Sequence, residues 1–170
     1  MEAKLLNKKL YNIKLSETNP ALNLFASKNS FIDKNLTSLK DVYLEISSIG
    51  NREYGISSKD FYDSLKKSND IHIFANGILL INNLFKQIKR NFVIFLRLKR
   101  PILYNGDNSL DLIFALIAPQ SIKTATKLQM LSKLSIMLKK NNIRKKIKGT
   151  SKAEDVLALL LPSIKSKEDI

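Results

Sequence analysis

The chain contains no cysteine, which excludes a disulfide framework, a thiolate nucleophile and any metal site built on sulfur. Long apolar runs are also missing. The longest, such as Leu112–Ala118 and Val156–Leu161, fall far short of the roughly 20 residues a membrane helix needs. The opening "MEAKLLNKKLYNIKL" scatters charge along its length and holds no unbroken apolar core. It does not have the form of a signal peptide, and a cytoplasmic location is expected. Acidic residues are scarce: 15 Asp and Glu stand against 29 Lys and Arg, giving a net charge of +14. That excess has two readings. One is a generic basic surface that comes with a Lys-, Asn- and Ile-rich composition; the other is a dedicated anion-binding face. Histidine is nearly absent too, so any imidazole chemistry must fall on His72.

What is present fits one domain. A length of 170 residues allows a two- or three-layer core, and 44% hydrophobic with 26% charged residues is ordinary for a globular chain. Residues 1–20 are polar, end at Pro20 and show weak periodicity, so they read as an N-terminal extension. The domain is expected over residues 21–162, with 163–170 as a tail. From Leu39 the pattern sharpens: Leu39, Val42, Tyr43, Ile46 and Ile49 share one helical face, and Gly50 is the expected stop. A second helix is predicted from Ser58 to Lys67, capped by Ser57 or Ser58.

The middle of the chain changes period. "IHIF" (71–74) and "GILLI" (77–81) flank Asn76-Gly77, a turn signal that predicts a hairpin. "FVIFLRLK" (92–99) predicts a strand buried at one end and half-wet at the other, ended by Pro101. "LDLIFALIA" (110–118) is apolar almost throughout, as a central strand covered on both faces would be. Helices then return. Lys123 to Lys140 carries Leu128, Leu131, Leu134 and Leu138 on a stripe, with Met130 and Met137 at its edge as core filler. A short helix is expected to end at Gly149. Ser151 and Glu154 have capping-box spacing and open a last helix, through Leu160, that Pro162 stops. Helices, then strands, then helices suggest an α/β sandwich around one mixed sheet.

Two stretches carry a resemblance. "LDLIFALIAP" and the following "KLQMLSKLSIMLKKNNIRKKIKGTSKAEDVLALL" resemble the C-terminal half of the type-2 enzyme IIA domain of the bacterial phosphotransferase system (PTS), on its nitrogen-regulatory, fructose/mannitol-like side. Upstream, "LTSLKDVYLEIS" and "SSKDFYDSLKKSND" are similar to the family's first two helices, so the resemblance covers roughly residues 22–162. It implies a three-layer α/β/α sandwich with one mixed central sheet. It also implies a phosphoryl relay: the carrier HPr gives its phosphoryl group to a histidine, which often passes it to a IIB partner. That histidine closes a glycine-rich stretch, because the imidazole must be exposed and backbone N–H groups and hydroxyls must hold the phosphate oxygens.

Against that pattern the chemical positions here are changed. Asn82 stands where the resemblance places the histidine, and Ile81 where it places a proline. The family's Ser-Thr pair falls on Ile71 and His72, and its earlier glycines on Asp70, Ile73 and Ala75; Gly77 alone is kept. A second family histidine falls on Lys127, and an arginine falls near Lys66. An amide nitrogen is delocalised into its carbonyl and has no lone pair to attack phosphorus. The expectation is therefore a IIA-like domain without its phosphoacceptor, a regulatory module that binds a protein: an HPr-like phosphocarrier or a regulated target. It would act as a fixed unphosphorylated mimic.

The alternatives stay open. His72 lies where the family has a hydroxyl next to the phosphate, so it is either a relocated acceptor or a satisfied structural histidine. Gly77, Lys127 and Lys66 are the candidate anion-pocket positions; for Lys127 a plain solvated lysine is the competing reading. The run Lys139, Lys140, Arg144, Lys145, Lys146 and Lys148 leaves a third alternative, a basic module that binds nucleic acid or an anionic surface; it has no interleaved aromatics, so nucleic acid is not the expected partner. No metal and no cofactor is expected.

Overall fold

The computed structural model describes residues 24–68, 70–75 and 77–165, with backbone alone for 161–165. The expected extension at residues 1–20 and the turn residue Asn76 lie outside the described residues. A short 3-10 turn (Ser27–Asn29) leads into β1 (Ser30–Lys34), and helices α1 (Leu39–Tyr54) and α2 (Ser58–Lys67) follow. Next come β2 (Ile71–Phe74), β3 (Ile78–Phe85), β4 (Phe92–Tyr104) and β5 (Asn108–Pro119). Helices α3 (Thr124–Leu138), α4 (Asn141–Lys148) and α5 (Ala153–Lys165) complete the order.

Local chemistry sets the first two helices. The Ser38 hydroxyl accepts the Asp41 N–H at 3.1 Å, and Asp41 in turn accepts the N–H and hydroxyl of Thr37 at 3.0 and 2.7 Å. Those Thr37 bonds hold the Asp41 carboxyl below the usual aspartate range. Ser57 caps α2 in the same way, through the Asp60 N–H. Gly50, the expected stop, lies inside α1. The helix runs one turn further to Gly55, whose φ of 67° is the left-handed cap that glycine tolerates. Gly50 is needed for another reason: a Cβ there would sit 2.5 Å from Cε1 of Phe61, which is fully buried. At an open helix position Gly→Ala stabilises by about 1 kcal/mol. Here the sign should reverse, with Gly50→Ala losing about 1–2 kcal/mol in denaturant unfolding. A stabilised variant would show that the ring is free to move aside.

The strands form one five-stranded sheet in the order β1-β4-β5-β3-β2. β1 runs parallel to β4 and β3 parallel to β5, while β4–β5 and β2–β3 are antiparallel, so the sheet is mixed. β5 is the middle strand, which explains its unbroken apolar character. Alternation along the strands divides the core in two. Leu79, Ile81, Ile94, Leu96, Ile113 and Ala115 pack against Val42, Ile46, Phe61 and Leu65 of α1 and α2. Ile78, Leu80, Val93, Phe95, Leu112 and Phe114 pack against α3, α4 and α5 through Met130, Leu134, Ile143, Ile147 and Val156. Helices on both faces of a mixed sheet make the three-layer α/β/α arrangement that the sequence predicts.

Several local expectations give way to packing. β4 passes through Pro101 to Tyr104, because that proline falls in an irregular stretch between Arg97 and Ile102 where ladder bonding to β5 lapses. Arg97, expected on the wet half of the strand, is 8% exposed. On α3 the buried stripe is Met130, Leu134, Met137 and Leu138, whereas Leu128 is 58% exposed. α5 opens at Ala153, with Glu154 and Asp155 in its first turn, and continues through Pro162 to Lys165. The proline therefore costs one i→i−4 bond without ending the helix. No helix among the described residues is long and apolar enough to cross a membrane.

Candidate functional site at the end of the β2–β3 hairpin

The β2–β3 hairpin assembles the site. The Gly77 N–H closes the turn on the Phe74 carbonyl at 3.2 Å, and φ at Gly77 is 77°. The ladder pairs Phe74 with Ile78 and Ile71 with Ile81. One step further, the Asn82 N–H donates to the Asp70 carbonyl at 2.9 Å, so Asp70 lies across from Asn82. Period-2 alternation then puts Asp70, His72, Leu80 and Asn82 on one face of the hairpin, the face that α3 to α5 cover. Asn83 points the other way and accepts a hydrogen bond from the Ser64 hydroxyl of α2 at 3.1 Å.

Asp70 joins the two residues that the sequence singles out separately. Its Oδ2 accepts from Asn82 Nδ2 at 2.5 Å, and its Oδ1 lies 2.8 Å from His72 Nε2. The three differ in access. Asn82 is 2% exposed, while the His72 and Asp70 side chains are 53% and 42% exposed. The Asn82 Oδ1 is buried without a hydrogen-bond partner. Below it, the Ser68 hydroxyl donates to the Asn82 carbonyl at 3.0 Å. His72 is therefore not a buried core histidine. It sits on an edge strand with its ring in solvent, one nitrogen held by a carboxylate and no bond to Nδ1 among the described residues.

The anion-pocket candidates are dispersed. Gly77 lies five residues up β3 from Asn82, roughly 17 Å at about 3.4 Å per residue. Its conformation and surroundings already demand glycine: a Cβ would sit 2.9 Å from both Arg144 Nη1 and the Ser109 carbonyl. Lys66 is exposed in the last turn of α2, on one side of the sheet. Lys127 lies in the first turn of α3, on the other. Among the described residues no three His, Asp or Glu side chains converge as a metal cluster.

Sequence reasoning missed Asp70 as a member of the site, seeing in it only a replaced glycine. Hairpin register is the signal that finds it: once Asn76-Gly77 is taken as the turn, counting back sets residue 70 across from residue 82. It also missed Asp111 and Arg97, which hold the neighbouring layer in place. Asp111 is bound by Arg144 (2.5 and 3.0 Å) and Lys148 (2.5 Å).

The arrangement belongs to a known fold class. The IIA-Ntr nitrogen regulatory protein from Neisseria meningitidis is similar over 79% of this chain and 94% of its own, with a TM-score of 0.70 at 24% identity. The mannitol IIA domain from Escherichia coli is similar over 80% and 98%, with a TM-score of 0.63 at 12% identity. A complex of that mannitol IIA with phosphorylated IIB, also from Escherichia coli, gives 0.64 at 12% identity over 81% and 97%. No curated protein sequence matches. The family profile of the phosphoenolpyruvate-dependent sugar phosphotransferase system, EIIA 2, matches residues 23–162, and the chain belongs to that family.

Proposed function

We propose that this chain is a nitrogen-regulatory-type IIA domain that carries no phosphoryl group at residue 82 and acts by binding a protein partner. One observation carries the reading: the amide of Asn82 is buried and bound to the Asp70 carboxylate. The amide offers no nucleophilic lone pair. The carboxylate is an anion where a phosphate pocket needs donors. A phosphoryl group held about 4 Å from it would meet repulsion of about 4 kcal/mol per unit charge at an effective dielectric of 20. Partners of the kind the family suggests are an HPr-like phosphocarrier, a IIB-like protein such as the one bound in the mannitol complex, or a regulated target.

A second reading has its own support. His72 is solvent-exposed, and in the tautomer whose Nε2–H donates to the Asp70 carboxylate the Nδ1 lone pair has no bond among the described residues. One experiment separates the two. The full chain is incubated with phosphoenolpyruvate, enzyme I and HPr, and its intact mass is measured. The expected result is no gain. A gain of one phosphoryl group that His72→Ala abolishes would move the function to His72; a gain that survives it would overturn both readings.

A further inference from the structure

On the α2 side of the same strand end lies a cleft of about 560 Å³ lined by Asp60, Asp63, Ser64, Lys67, Ser68 and Asn83. We infer that this cleft receives a lysine or arginine side chain of a protein partner; the inference rests on the protein-binding reading above and specifies the partner's chemistry.

The α2 residues are spaced i, i+3, i+4 and i+7, so they form one stripe beside the buried Phe61 and Leu65. The carboxylates of Asp60 and Asp63 make no ion pair, since neither belongs to any salt bridge among the described residues. At the floor, Asn83 is 4% exposed; its Oδ1 is taken by Ser64, and its Nδ2 has no partner. The Ser68 hydroxyl is committed to the Asn82 carbonyl, which ties the cleft to the Asp70 site. Two open carboxylates and one unused amide donor define the occupant: a cation beside a carbonyl. A peptide carrying one basic side chain supplies both, with the cation between Asp60 and Asp63 and a main-chain carbonyl toward Asn83. An anion would meet two carboxylates against one ammonium, that of Lys67. The contrast with the rest of the chain, +14 overall, makes the local acidity selective.

The test uses the full ¹⁵N-labelled chain and an N-acetylated, C-amidated peptide Gly-Gly-Arg-Gly-Gly, with citrulline or glutamate in place of arginine as controls. Arginine peptide should shift the amide signals of residues 60–68 and the Asn83 side-chain NH2 saturably, and the citrulline and glutamate peptides should not. Asp60→Asn/Asp63→Asn should weaken binding by about tenfold, while Lys67→Gln should leave it equal or stronger. Absent or scattered shifts, equal shifts with the glutamate peptide, or an undiminished response of the double variant would each overturn the assignment. Failure here, with no phosphoryl gain in the transfer assay, removes this cleft and leaves the protein-binding reading standing.

Discussion

Asp111→Asn should cost about 2–3 kcal/mol of unfolding free energy at neutral pH, and the penalty should shrink in acid. Asp111 sits in the central strand with a side chain 3% exposed, held by both terminal guanidinium nitrogens of Arg144, Nη1 and Nη2, and by Lys148. A bulge turns it toward α4: the Asp111 and Leu112 N–H groups both donate to the Gly77 carbonyl, at 3.1 and 3.3 Å. Burial alone would raise its pKa, but the Arg144 and Lys148 bonds outweigh burial and hold it below the ordinary 3.8. A carboxylate depressed in the folded state adds stability above its unfolded pKa and loses it as pH falls through the folded one. The gap between wild type and Asp111→Asn should therefore be full near neutrality and close progressively below about pH 4. Arg144 and Lys148 are 25% and 46% exposed, so both can turn to water when the carboxylate is lost, which keeps the penalty below that of a sealed ion pair. Denaturant unfolding of both proteins across pH 3–7 measures it. A penalty constant with pH would mean that Asp111 is held by packing and not by its charge.

Legibility in the sequence followed the range of the forces involved. α1 and α2 could be read because their apolar faces and serine caps are local, and β5 because a strand covered on both faces is apolar throughout. β1 was not foreseen. "SFIDK" is five residues long, lies at the sheet edge and is fixed by parallel pairing with β4 some sixty residues away, with Asp33 at a φ of 57°. The stripe on α3 was rotated because leucines and methionines there are equally apolar, and only the neighbouring helices decide which are covered. At the site, the family resemblance marked Asn82 and the single histidine marked His72, as separate candidates. What the sequence did not display was the carboxylate between them, since Asp70 reaches both only after the hairpin has set its register. The same limit hid the cleft: Asp60, Asp63 and Lys67 look like ordinary solvated charges until Asn83 is placed beneath them.

Arg97→Met is expected to have the largest effect of any single change described, about 3–4 kcal/mol. "LRLK" alternates as a half-wet strand would, yet the Arg97 head group is enclosed between β4, β1 and the end of α4. Its Nη1 donates to the carbonyls of Ile147 (2.9 Å) and Thr150 (2.7 Å) and to the Thr150 hydroxyl (3.1 Å), and its Nη2 lies 3.1 Å from Asp33 Oδ1. The cation thus satisfies carbonyls at a helix C-terminus, where the backbone dipole also favours positive charge. Methionine fills the apolar stem but makes none of these bonds, and the Thr150 carbonyl is then left without a donor. Arg97→Lys is the informative companion. One ammonium keeps the charge but cannot span two carbonyls and Asp33 together, so it should recover less than half of the loss. Denaturant midpoints at constant m-value give both numbers, and hydrogen exchange should show protection falling first in α4 and at Thr150. If Arg97→Met unfolds within 0.5 kcal/mol of wild type, on the order of an ordinary surface substitution, the Arg97 bonds do not hold α4, whose docking then rests on Ile143, Ile147 and the Asp111 ion pairs.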